Sequence, residues 1–169
     1  PYPVDVVFSP SWWHAHEGIC FDEAFFLNAD RRICDEQRME QALADRYGLG
    51  RHDASERGKQ ADIGAVHLAA GFFLSWMLGC KVDFFEDQAP AVHPMNAEEL
   101  SIDIDAAFAS EPFQKLTRLA DQLLQRHGRM TGDINFSGIL NLALDVRGTD
   151  LFCDMKERPE EVAAFFGQL

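Results

Sequence analysis

Eighteen consecutive residues, Ile63 to Cys80, carry no formal charge, and this run limits the chain's choices more than any other feature. Its length raises the question of a membrane span. Gly64, His67 and Gly71 interrupt it, and Asp62 and Lys81 flank it closely. The run therefore reads as a buried β-strand over Ile63 to Leu68, then a helix over Ala70 to Leu78 that Gly79 closes. The chain around it has 169 residues, enough for a single domain with a substantial core. Its 15 Lys+Arg against 28 Asp+Glu give a net charge of -13. Such a surface repels phosphate backbones and anionic headgroups unless a local basic patch offsets it. The densest basic stretch, Arg51 to Lys59, also holds Asp53 and Glu56, so neither nucleic acid nor a membrane is an expected partner.

Cys20, Cys34, Cys80 and Cys153 are widely spaced, with no C-x-x-C pair among them. That is neither a disulfide framework nor a zinc-finger pattern, and it points to reduced thiols in a cytoplasmic protein. No signal-peptide pattern opens the sequence, and Pro1 is expected to follow residues missing or removed.

Val4 to Phe8 reads as a short buried strand that leads at Ser9-Pro10 into a loop carrying SWWHAHEG. A helix is expected from Asn28 or Asp30 to Tyr47, with Ile33, Met39, Leu43 and Tyr47 on its apolar face and a stop at Gly48. Residues 48–60 form a polar, glycine-punctuated loop of the length that mobile lids adopt. Lys81 to Phe85 is a second extended run, and Pro90 and Pro94 bracket a turn-rich loop. Asp103 to His127 reads as helix with a break near Glu111-Pro112 and a stop at Gly128. A strand over Arg129 to Ile134 follows, then helices over Gly138 to Arg147, Thr149 to Met155 and Pro159 to Phe166. Alternating strands and helices are the grammar of an α/β protein with a parallel sheet or barrel.

Two passages, WMLGCKVDFFEDQAP (Trp76 to Pro90) and GILNLALDVRGTDLFCDMKERPEEV (Gly138 to Val162), resemble the uroporphyrinogen decarboxylase superfamily, which includes corrinoid- and zinc-linked methyltransferases. With the strands before them the resemblance runs from about Ile63 to Phe166. It implies a (β/α)8 TIM-like barrel with its active site at the C-terminal ends of the strands. Such a barrel takes about 250 residues, so the whole chain, 1–169, is expected to be the N-terminal part of one, completed by the rest of the barrel or by a second polypeptide.

Two departures shape the functional expectation. Uroporphyrinogen decarboxylases carry an arginine-rich segment after their N-terminal strand, where this chain has PSWWHAHEG, and an Asp after the first barrel strand, where it has Ala70. A methyl group cannot hydrogen-bond a pyrrole N–H. Methyl transfer involving a corrinoid or thiol partner is therefore expected ahead of decarboxylation of uroporphyrinogen or another carboxylated substrate. A non-catalytic partner subunit is the remaining alternative.

The candidate site residues follow from the same passages. Trp12 and Trp13 offer flat surface for a small aromatic or methylated substrate, and His14 and His16, read as extended, would point both imidazoles to one face as catalytic groups or weak metal ligands. His67 and Asp133 sit at strand ends, Asp133 as a general acid or base and His67 as a substrate contact or a core residue. Asn135 is expected either to contact substrate or to cap the helix that starts near Gly138. The methyltransferase branch holds zinc with a His-x-Cys that this sequence lacks, so corrinoid or zinc enters only as what the resemblance implies. Arg147 is expected to pair with Asp145 or Asp150.

Overall fold

Helix caps, rather than strand pairing, set the architecture. The structure is a computed structural model, and it describes residues 8–48, 61–62, 70–128, 130–131 and 134–169. Ser9 accepts a hydrogen bond from Trp12 N at 3.3 Å and Pro10 occupies the first turn, starting α1 (Pro10–Glu17). Gly18, at φ +62°, ends it by donating its N–H to His14 O and Trp13 O. Asp22 caps α2 (Glu23–Leu27) and Asn28 caps α3 (Ala29–Tyr47), which Gly48 closes. The chain continues through β1 (Ala61–Asp62), α4 (Phe72–Met77), β2 (Lys81–Asp83), β3 (Ala91–His93), α5 (Ile104–Ala109), α6 (Glu111–His127) and β4 (Met130–Thr131). It ends in α7 (Ile139–Arg147), a 3₁₀ turn at Gly148–Asp150, α8 (Leu151–Glu157) and α9 (Pro159–Phe166).

These elements fall into two compact units, each made of several stretches of the chain, with α6 divided between them. The first comprises Pro1–Leu68, Phe84–Ala89 and Arg118–Asp133, and its buried side chains include Trp13, Ile19, Phe21, Phe25, Met39, Leu119 and Leu123. In α3 the expected helix range holds, but its buried face differs: Arg32, Asp35, Glu36, Met39 and Ala42 turn inward while Tyr47 is exposed. The inward charges are matched within the helix, Arg32 Nε to Glu36 Oε1 at 2.5 Å and Arg31 Nε to Asp35 Oδ2. Such i,i+4 pairs let a helix bury ionised groups that would otherwise be costly. The guanidinium of Arg32 also lies 4.8 Å from the centre of the Phe25 ring.

The second unit comprises Ala69–Asp83, Pro90–Thr117 and Ile134–Leu169. Its core cluster is Ala143, Val146, Leu151, Val162 and Phe165, drawn from α7, α8 and α9. Ser75 Oγ of α4 donates to Asp145 Oδ2 of α7 at 2.6 Å. The loop after β3 then closes α7: Met95 N donates to Asp145 O at 2.8 Å, Ala97 N to Val146 O at 3.0 Å, and Arg147 Nη1 to Ala97 O at 2.8 Å. Arg147 pairs chiefly with Asp154, at 2.5 Å, and only distantly with Asp150, at 3.9 Å. Arg147 and Arg158 both donate to the Asp154 carboxylate, which holds it below the ordinary carboxylate range.

The barrel expectation is overturned. Among the described residues the chain is mostly helical, and the strands are two or three residues long. β2 and β3 pair antiparallel, with Lys81 opposite His93, where a barrel needs successive parallel strands. β1 and β4 pair parallel over only Ala61–Met130 and Asp62–Thr131. Pro90 and Pro94 do not enclose a plain loop but bracket β3, just outside the positions where a missing N–H would break the ladder. The SWWHAHEG passage is helix, not loop. The strands read at Val4 to Phe8 and Ile63 to Leu68, and the loop at 48–60, fall almost wholly outside the described residues.

Gly148 is the position where the fold leaves least room. It has φ +74°, and a Cβ there would stand 2.1 Å from Asn96 Oδ1. Gly148→Ala is expected to lower the stability of the second unit by about 1–3 kcal/mol, from the left-handed backbone and the displaced Asn96 loop together. A urea titration checks this; an unchanged midpoint would show that the loop yields freely.

Candidate functional site

The candidate residues that the structure describes in the first unit lie on α1 and the turn after it. Along a helix, residues four apart share a face and residues two apart do not. Trp12 and His16 accordingly stand together, their ring centres 4.6 Å apart, and His14 projects elsewhere. The two imidazoles do not converge as an extended His-x-His would.

Trp12 is engaged by neighbouring rings. Phe8 stacks on it at 4.3 Å and 23°, and Tyr47, from the end of α3, lies 6.3 Å away. Trp13 packs edge-on to Trp12 at 5.0 Å and is buried, and its Nε1–H has no hydrogen-bond partner among the described residues. These aromatic faces meet one another and join α1 to α3, an arrangement reinforced by Arg46 on Glu17 at 2.8 Å. Beside them, Arg38 is opposed by Asp35 at 3.0 Å. Both guanidinium groups already face a carboxylate, which weakens any attraction for a polycarboxylate substrate.

On the other side, His14 Nδ1 lies 3.2 Å from Ile19 O and 3.8 Å from Cys20 Sγ. Gly18 creates this proximity, since its left-handed turn folds the next two residues back toward the helix. Among the described residues of α1 and the turn after it, the half-buried Cys20 thiol is the nucleophile set beside an imidazole, facing the Nδ1–H that donates to Ile19 O. Cys20, Phe8 and Tyr47 do not stand out in the sequence. The signal that could have found Cys20 is the string Ser9-Pro10 to Gly18: read as cap, first turn and stop, it brings residue 20 back to residue 14.

The other candidates are scattered or lie outside the described residues. His67 and Asp133 are among the latter. Asn135 is exposed in the second unit and does not cap α7, whose first turn follows Gly138 without a side-chain cap. Ser137 Oγ instead donates to Gly71 O at 2.7 Å. Zinc does not fit the residues present: no three His, Cys, Asp or Glu side chains converge among the described residues, and His14 and His16 diverge. Among the described residues, the apolar cavities of the second unit measure about 160 and 180 Å³ and the charged recess of the first unit beside Glu17, Arg38 and Arg46 about 330 Å³. No described helix is long and apolar enough to cross a membrane.

Compared with known proteins, the chain matches no family model, no curated protein and no solved structure.

The four thiols are free and differ in environment. Cys34 and Cys153 are exposed, whereas burial pushes the Cys80 thiol up to about 11. At about pH 8, iodoacetamide is expected to modify Cys34 and Cys153 in the native protein and to leave Cys80 untouched until denaturant is added. Peptide mass mapping reads the order; labelling of Cys80 alongside Cys153 would contradict it.

Proposed function

We propose that this chain is a methyl-transfer enzyme related to the uroporphyrinogen decarboxylase superfamily, with Cys20 as the group that takes the methyl. The contact between Cys20 Sγ and His14 Nδ1 carries this reading. Support also comes from the arginine-free α1, from Ala70 in place of the decarboxylase aspartate, and from the resemblance over Trp76 to Pro90 and Gly138 to Val162.

In the proposed step the Cys20 thiol gives up its proton to water, and the His14 Nδ1–H faces the thiolate that forms. The sulfur forms a bond to the methyl carbon of a small methylated substrate while the bond to the donor atom breaks, and the leaving group departs with the electron pair. The Ile19 carbonyl, 3.2 Å from Nδ1, accepts its N–H and so keeps the imidazole proton on the nitrogen beside the sulfur. Zinc takes no part in the step; a corrinoid enters only as a group on a partner, which presents or removes the methyl.

Incubation with a methylcobamide, and in parallel with uroporphyrinogen, followed by peptide mass analysis is the test. The expected result is one added methyl on Cys20, abolished by Cys20→Ser and reduced at least about tenfold by His14→Ala, which removes the N–H that faces the thiolate. Turnover of uroporphyrinogen with no methylated Cys20 would replace this reading with decarboxylation.

One observation favours the non-catalytic reading. In the second unit Phe108, Phe136 and Ile139 are 56%, 59% and 54% exposed, apolar area of the kind partner polypeptides cover. Sedimentation velocity on co-purified material is expected to show a second polypeptide if the chain works as such a subunit. A lone species at the mass of this chain would remove that reading.

A further inference from the structure

We infer that Asp35, a residue of α3 outside the thiol–imidazole pair, is the positioning residue that sets Cys20 against His14. Its carboxylate side chain is only 3% exposed and receives two guanidinium groups, Arg31 Nε on Oδ2 and Arg38 Nη1 on Oδ1 at 3.0 Å. Each arginine uses a second nitrogen on the turn that carries the thiol. Arg31 Nη2 donates to Cys20 O at 3.2 Å, and Arg38 Nη2 donates to Glu17 O at 2.5 Å. One buried carboxylate thus orients two planar forks that hold the backbone on both sides of Gly18. Side-chain length alone would leave both forks free to rotate; the shared carboxylate fixes their planes. Asp35 touches neither sulfur nor imidazole, so it acts through the backbone of residues 17–20.

This inference rests on the proposed role of Cys20, but its test does not require methyl transfer. The rate of Cys20 alkylation by iodoacetamide, normalised to Cys153 in the same molecule, is measured for the wild type, His14→Ala, Asp35→Asn and the double variant. If Asp35 sets the pair, His14→Ala changes the ratio several-fold in the wild type and hardly at all in the Asp35→Asn background, a non-additive cycle. Additive effects would overturn the inference. So would an equal loss of coupling in Glu36→Gln, which removes a neighbouring buried carboxylate of α3 without touching the two forks. Should Asp35→Asn fail to fold, Arg31→Gln, at a partly exposed side chain, is expected to weaken the same coupling, and full coupling in that variant would count against the clamp. Methylation of Cys20 in a protein with an additive cycle would leave the function standing and the positioning role refuted.

Discussion

Gly18 is the pivot on which the first unit depends. Its left-handed conformation ends α1 and satisfies the carbonyls of His14 and Trp13 with a single N–H. The chain then turns back, so Ile19 and Cys20 meet His14 while α1 keeps Trp13 buried. An L side chain at that position would have to adopt a backbone region costing about 1 kcal/mol or more.

What keeps that turn in place is charge buried in α3. Burying ionised groups is unfavourable unless each finds a partner, and removing one partner from such a set costs about 3–5 kcal/mol. The helix meets the condition locally, since Arg31, Asp35, Arg38, Arg32 and Glu36 sit three or four residues apart. The arginines then reach beyond their carboxylates to backbone oxygens at Glu17 and Cys20. Local helix pairing and long-range anchoring share the same groups, which explains why the inward face of α3 is so polar.

The second unit handles its helix ends differently. At the end of α7, Gly148 N donates to Leu144 O, Met95 N and Cys80 Sγ donate to Asp145 O, Ala97 N donates to Val146 O, and Arg147 returns a bond to Ala97 O. The core of Ala143, Val146, Leu151, Val162 and Phe165 lies among the three helices that follow one another there. Contacts so close in sequence make this part of the chain the easiest to anticipate.

Legibility follows that distinction. The bounds of α3, the break before α6 and the start of α9 at Pro159 were all readable from caps, glycines and prolines, because those signals act within one turn of chain. α1 was read as a loop because Pro10 looked like a break, although proline favours the first helical turn. The barrel reading failed because β-branched runs and alternation do not say which strand pairs with which, and the observed ladders are short and partly antiparallel. Of the site, Trp12, His14, His16 and Cys20 were visible as residue types, yet the meeting of Cys20 with His14 was not, since it comes only from the turn at Gly18. The sequence by itself determined where helices begin and end, which thiols and imidazoles exist, and the acidity of the whole. Only the tertiary structure decided that His14 faces Cys20 rather than His16, and that a buried carboxylate on α3 governs the turn between them, because side-chain meetings across elements depend on how backbones fold back in space.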